Sequence, residues 1–435
     1  MTSFLFRHID NSMLIVFRIC FGLLCFLESV GAILTGWVKR TLIEPQFTFN
    51  FIGFDWLQPL PSTWMYVFYI VMGIFGLLIM IGYKYRFSAL LFALMWSATY
   101  FMQKSSYNNH YYLLFLLSFI MVILPAHHYA SVDAKLNPKL KQISMPSWCR
   151  WAIIFQLFIV YTYASVAKLY PDWLNASVIK LLMQGKSHFP IVGSILQNEF
   201  VHYFIAYSGI IFDGLIIPLL LFKPTRKYAF FASIFFHLFN SFIFHIGIFP
   251  YLSLAFCLFF FEPKTVRNLF LKKKELYILN EIKKPKYSKT LVAVLSIYFV
   301  IQIALPLRHH FIEDDVLWTE EGHRLSWRMM LRAKSGSIHF RVVDQSNNTI
   351  IPIKLNEYLT KKQQRNLKTK PDFIWQFSQR LKKKFENEGK SVAIYVTSFV
   401  SVNGKSSKRL INPEVDMAKA QWNYFGHNDW ILPSK

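Results

Sequence analysis

The sequence predicts an α-helical polytopic membrane protein that ends in a small α+β domain. Three observations lead there. Of 435 residues, 54% are hydrophobic and 18% aromatic, with 44 Phe, and the mean hydropathy is +0.31, more than a soluble core of this size needs. Apolar runs approaching the ~20 residues of a spanning helix recur through residues 1–307 and then stop. Residues 308–435 are polar and mixed, which sets the expected boundary between a transmembrane domain and an extracytoplasmic one.

Helices are expected near 13–37, 63–83, 87–103, 108–126, 151–168, 201–222, 228–247, 249–262 and 290–307. The first run is too long for a cleaved signal and lacks a small-residue cleavage site, so it reads as an anchor. Segment 40–62 is aromatic and Pro-rich rather than spanning, and Pro250 separates two short apolar runs. Nine spans put the two ends of the chain on opposite sides. Alternate loops carry nineteen Lys/Arg against six, so the N-terminal end is expected in the cytoplasm and the C-terminal domain outside. In that domain SIHFRVVD (337–344) and SVAIYVTSFVSV (391–402) alternate as strands do, and 373–388 reads as a basic amphipathic helix against the outer leaflet.

The formal charge of +24 does not point to nucleic acid. Nine Lys/Arg fall between Lys264 and Lys289, a pattern of membrane orientation and contact with anionic lipids, and no nucleic-acid motif accompanies it. The four cysteines form no CxxC pair and none lies in the C-terminal part, so neither a disulfide framework nor a thiolate site is expected. The 13 His show no metal-ligand spacing; His127-His128 and His309-His310 are adjacent pairs, and no metal is expected.

Polar residues inside spans are costly and mark cavities or partners. By depth, Asn109, His110, Lys168, Gln302, His309 and His245 fall toward the outer side, while His237 and Asp213 fall near the midplane. An outward-opening pocket follows from that convergence. The plainer readings are interfacial histidines, a snorkelling Lys168, a structural Asp213 and His237 pair, and mutual neutralisation of Arg18 and Glu28.

Several long motifs, in order, resemble one family. They are LQPLPSTWMY (57–66), YNNHYYLLFLLSFIMVILPAHHYASVD (107–133), FQLFIVYTYASVAKLYPDWL (155–174), FFHLFNSFIFHIGIFPY (235–251), IQIALPLRHHF (301–311), WTEEGHRLSWRMMLRAKSG (318–336) and INPEVDMAKAQW (411–422). Together they are similar to the vitamin K-dependent gamma-glutamyl carboxylases and to the bacterial HTTM (horizontally transferred transmembrane) domain proteins. The resemblance implies an integral protein of a bacterial inner, cytoplasmic membrane. It also implies that a lysine deprotonates a reduced vitamin K or menaquinol, that oxidation by O2 to the epoxide generates a strong base, and that this base removes the γ-proton of a peptidyl glutamate, whose carbanion takes CO2.

By the same resemblance the lysine is Lys168, assisted by Asn109 and His110. Gln302, His309, His237, Trp318 and His323 would face the quinone, and His237 belongs to a His-x-x-Asn-Ser element with Asn240 and Ser241. Arg332 and Lys334 would hold the glutamate carboxylate, by a bidentate contact in the case of arginine. The physics fits these roles. A γ-proton is too weakly acidic for any side chain, so base strength must come from the cofactor in a water-poor site. A lysine is a base only when neutral, which burial favours, and Ala164, Ser165 and Ala167 leave room for a flat ring.

The sequence departs from the animal members in four ways, the first being that Arg332 and Lys334 stand in place of a His and an Arg near the glutamate. The C-terminal region tied to propeptide recognition is not in this sequence, no Cys is available to bridge membrane and outer parts, and His323 stands in place of a Tyr. The expected partners are lipids, a quinone and a glutamate-containing protein or peptide. The alternatives are a quinol epoxidase without carboxylation and a non-enzymatic transporter or lipid-binding protein, although no inverted repeat of the transporter kind is visible.

Overall fold

The computed structural model describes residues 2–190, 192–244 and 246–434. Helices form in all nine expected places: α1 (Ser12–Leu34), α2 (Thr63–Ile81), α3 (Tyr85–Met102), α4 (Asn109–Ile123), α5 (Trp148–Val166), α6 (Glu199–Leu221), α7 (Arg226–Phe244), α8 (Phe249–Phe256) and α9 (Ser288–Leu307). Six of them are long and apolar enough to cross a membrane, namely α1, α2, α5, α6, α7 and α9 with its continuation to Phe311.

Among the described residues, length and composition thus support six of the nine expected spans. With 15 residues, α4 rises about 22 Å, short of the ~30 Å hydrocarbon layer. The stretch Phe249–Phe259 is shorter still. Helix α3 has 18 residues, but Arg86, Ser88, Ser97 and Thr99 dilute its apolar run.

The membrane core is built on aromatic and aliphatic contacts among Phe17, Phe21, Met72, Tyr85, Phe92 and Phe256. Helices α1 and α2 meet backbone to backbone. A Cβ on Gly22 would stand 2.3 Å from the Met80 nitrogen, and one on Gly76 would stand 2.7 Å from the Phe26 nitrogen. No rotamer change relieves a clash with backbone, so Gly22→Ala is expected to cost about 1–3 kcal/mol. A lower melting temperature of the purified protein checks this; an unchanged one refutes it.

Near the same end, β1 (His8–Asp10) pairs antiparallel with β2 (Ser144–Pro146). Lys274, from the basic stretch, is fully buried against Asp10 at 2.6 Å. One member of that charge run is thus a structural pin rather than a lipid contact.

The C-terminal domain is α+β. Its antiparallel sheet has the order β4-β3-β5-β6, with β3 (Lys334–Asp344), β4 (Ile350–Ile351), β5 (Val392–Val402) and β6 (Lys408–Arg409). Inward residues Phe340, Val342, Ile394, Val396 and Val400 pack with Phe373, Phe377 and Leu381 of α11 (Pro371–Asn387), which follows α10 (Lys361–Leu367). The helix expected at 373–388 is α11, and it covers the sheet.

This domain is seated on the membrane part by side chains from both. Phe47 and Phe49, from the Pro-rich segment, belong to its core, which gives that non-spanning stretch its role. Trp327 goes the other way, fully buried in the membrane core and stacked on Tyr112 at 4.8 Å. Asp372 receives Lys104 at 2.5 Å and Arg324 at 2.8 Å, and Asn403 donates to Asp172 at 2.9 Å.

Candidate active site

Close packing of α5 on α6 sets the site. Ser165 donates to the Ile210 carbonyl at 2.9 Å, and small residues hold the helices together at this level: a Cβ on Gly214 would stand 3.1 Å from Ser165 Oγ. Lys168, two residues beyond the end of α5, turns inward. Its ammonium group donates to the Ala164 carbonyl at 3.1 Å, forms an ion pair with Asp213 of α6, and lies 5.5 Å from the centre of the Trp173 ring. Lys168 and Asp213 are 7% and 6% exposed, so this lysine does not snorkel.

Asp213 therefore partners Lys168 rather than His237. His237 shares a hydrogen bond of 3.1 Å with the Tyr161 hydroxyl, and its Nδ1 is buried without a partner. His110 makes no hydrogen bond among the described residues and stacks on Phe249 with centroids 3.9 Å apart; His237 stands edge-on to the same ring at 6.0 Å. Lys168, Asp213, His110, His237 and Asn240 line one cavity of about 810 Å³ including its mouth. Val160, Ile179, Leu182, Ile205, Phe236 and Phe249 supply its apolar walls.

These residues fit a hydroquinone. A flat ring finds aromatic faces at Phe249 and Trp173, its oxygens find the Lys168 amine, the His110 imidazole and the unpartnered His237 Nδ1, and an isoprenoid tail finds aliphatic and Phe side chains.

The remaining expected residues lie elsewhere. Asn109, next to His110, accepts from the Tyr107 hydroxyl at 2.9 Å and donates to the Arg328 carbonyl at 3.0 Å. Gln302 is buried where α9 meets α4, accepting from Tyr112 at 3.3 Å. His309 bonds the Pro306 carbonyl through Nδ1 at 2.8 Å. Trp318 sits in the outer core, its Nε1 donating to the Leu432 carbonyl at 2.7 Å. None of these four lines the cavity. His245 lies outside the described residues.

His323, Arg332 and Lys334 form a second cluster around Glu320. Arg332 clasps the Glu320 carboxylate with two donors, Nε at 2.6 Å and Nη2, and Lys334 reaches it at 3.2 Å. Arg332 also donates to His323 Nε2 at 2.9 Å. Burial alone would raise the Glu320 pKa, but Arg332 and Lys334 outweigh it and hold the carboxyl well below its ordinary range. Burial, reinforced by Arg332, keeps His323 well below the usual histidine value, so its imidazole is a neutral acceptor. Among the described residues no three His, Cys, Asp or Glu stand together as a metal site.

One backbone segment joins the two clusters. Met329 and Met330 line the cavity, Tyr170 donates to the Leu331 carbonyl, and Arg332 holds Glu320. Leu325, Trp327 and Met330 all have positive φ, a conformation side chains resist, so tertiary contacts hold this path. Arg328 lies within it. Its guanidinium approaches His309 Nε2 at 3.3 Å, its Nε is buried without a partner, and it has no carboxylate ligand among the described residues. The sequence reading missed Arg328, whose only signal was a third cation beside Arg332 and Lys334. It also missed Asp213 and Tyr161 as cavity residues, because their placement depends on which helix faces meet.

Two family models match the chain. The HTTM domain matches residues 6–264, and the lumenal domain of vitamin K-dependent gamma-carboxylase matches residues 287–435. No solved structure matches it. Between them the two models span almost the whole sequence, and their junction falls just before α9, where the basic stretch gives way to the last apolar helix. The chain belongs to the HTTM domain family and joins to that domain the lumenal domain of the vitamin K-dependent gamma-carboxylases, which makes it a vitamin K carboxylase-like membrane protein.

Proposed function

We propose that the protein oxidises a vitamin K or menaquinone-type hydroquinone with O2 to its epoxide and uses the reaction to carboxylate peptidyl glutamate with CO2. The single observation that carries this reading is the buried Lys168 and Asp213 pair in a largely apolar cavity that His110 and His237 also line. The hydroquinone, once bound, would supply on oxidation the base strength that no side chain possesses.

The chain's own residues do the rest. Passage of the shared proton from the Lys168 ammonium to the Asp213 carboxylate would leave an uncharged amine, the form of lysine that can act as a base. That amine accepts a proton from a ring hydroxyl. His110 and His237 orient the ring and its oxygens, and the apolar walls exclude water. The Arg328 guanidinium, which has no ion-pair partner among the described residues, would be the ligand for an incoming glutamate, with Arg332 and Lys334 held in register by Glu320. The match of residues 287–435 to a lumenal domain supports a C-terminal domain facing away from the cytoplasm.

The test supplies reduced vitamin K, O2 and labelled CO2 to purified protein with a glutamate peptide. Epoxide and acid-stable label in the peptide are expected; epoxide without label reduces the reading to an epoxidase, and neither product refutes it. Arg328→Gln is expected to raise KM for the peptide about tenfold or more, the loss of a charge-assisted contact, with hydroquinone oxidation in the absence of peptide unchanged. Equal KM values would remove Arg328 from the site.

A further inference from the structure

Strand β3 runs from Lys334 to Asp344, yet its outer neighbour β4 covers only Val342 and Val343. The Asp344 N–H reaches the Thr349 carbonyl on the β4 side at 2.9 Å, whereas the Ala333 carbonyl accepts from Asn403 on the β5 side at 2.8 Å. Peptide groups of successive strand residues alternate sides. Lys334, Gly336, Ile338 and Phe340 therefore turn their N–H and C=O groups toward an edge that β4 does not reach. Strand β4 ends at Ile351, immediately before Pro352.

Beside the first residues of this edge, α10 and β3 border a groove of about 800 Å³ including its open side. Lys334, Lys361, Arg365 and Lys368 line it, with no acidic residue. From Lys361 to Lys370 the sequence carries five Lys/Arg and no Asp or Glu. Lys361, Arg365 and Lys368 have no ion-pair partner among the described residues, so their charge is uncompensated. A cationic edge repels a second copy of itself, a usual guard against self-pairing. What it complements is an extended chain bearing carboxylates. The groove also leads inward, because Lys334 lines it while its ammonium group lies 2.8 Å from the Trp318 carbonyl and reaches Glu320.

We propose that this groove binds an extended, glutamate-rich peptide by strand addition to β3, with alternate side chains directed at Lys361, Arg365 and Lys368. The docked peptide then runs toward the Arg332 and Lys334 cluster. Naming the peptide a substrate rests on the proposed function; the docking itself requires no chemistry.

The experiment uses the full chain in detergent and a fluorescent peptide of about ten alternating Glu and Val residues, enough to pair along the edge, read by anisotropy at low salt. Lys361→Glu/Arg365→Glu/Lys368→Glu is expected to weaken binding at least about tenfold, as reversal of complementary charge should. Methylating alternate peptide nitrogens removes the ladder donors without touching the protein or the charge, and about the same loss is expected. Undiminished binding of the methylated peptide, or of the wild-type peptide to the charge-reversed chain, overturns the proposal. So does binding of phosphatidylglycerol vesicles that depends on the three cations while the peptide fails to bind. Hydroquinone oxidation is recorded on the same samples: oxidation without peptide binding sinks the groove alone, and peptide binding without oxidation sinks only the enzymatic reading.

Discussion

Lys168→Ala is expected to lower hydroquinone oxidation at least about 100-fold, the scale of a lost general base, beyond what the fall in melting temperature from leaving buried Asp213 unpaired accounts for. Lys168→Arg is expected to fail as badly, because a guanidinium stays protonated at any accessible pH and cannot accept a ring proton. Asp213→Asn separates two roles of the pair. The amide still accepts a hydrogen bond from Lys168, so placement survives, but it cannot take the amine's proton, and the rate is expected to fall less than for Lys168→Ala yet well below wild type. Epoxide formation under saturating O2 gives all three numbers. Full activity of Lys168→Ala would end the proposal that this amine is the base, and full activity of Asp213→Asn would leave Asp213 only a structural partner.

Asp372→Asn is expected to have the largest effect on stability. Asp372 is buried and faces Lys104 from the membrane part and Arg324 from the connecting segment. Removing it leaves two buried cations uncompensated, a loss on the order of 3–5 kcal/mol, seen as a lower melting temperature and as protease cleavage between the domains. The pH dependence has a definite sign. Burial alone would raise the carboxyl pKa, but Arg324 and Lys104 outweigh it and hold it below the ordinary value. A carboxyl depressed on folding contributes stability that is present above its unfolded pKa and lost as pH falls through the folded one. The C-terminal domain should thus stay seated through mild acid and loosen only in strong acid, and the asparagine variant should not show that acid-dependent loss. A variant as stable as wild type at neutral pH would contradict this account.

Much of the architecture was readable from residue order. Nine apolar runs became nine helices, and the strands at 337–344 and 391–402 appeared as β3 and β5, because burial on one side forces period and length into the sequence. Which helices reach across a bilayer was not readable, since hydropathy does not mark where α4 and α8 end. At the site, a lysine and two histidines amid apolar residues were conspicuous, and Lys168, His110 and His237 do share one cavity. Depth alone misled elsewhere. It grouped Gln302 and His309 with Lys168, but depth says nothing of azimuth, and α9 turns Gln302 to Tyr112 instead. It separated Asp213 from Lys168, though the end of α5 carries the lysine inward to meet it. Arg328 was unreadable for a different reason: it lies in irregular backbone, where no period tells which way a side chain points.

The segment that links cavity and outer cluster sets a length. Met330 lines the cavity and Arg332 clasps Glu320, and two residues of fully extended chain span at most about 7 Å. On the proposed function, reactive species made in the cavity would have this short link between them and the Glu320 cluster. Their fate becomes a race between an anchored side chain and a stray water molecule, and fidelity would be governed by how long the mouth of the cavity stays occupied.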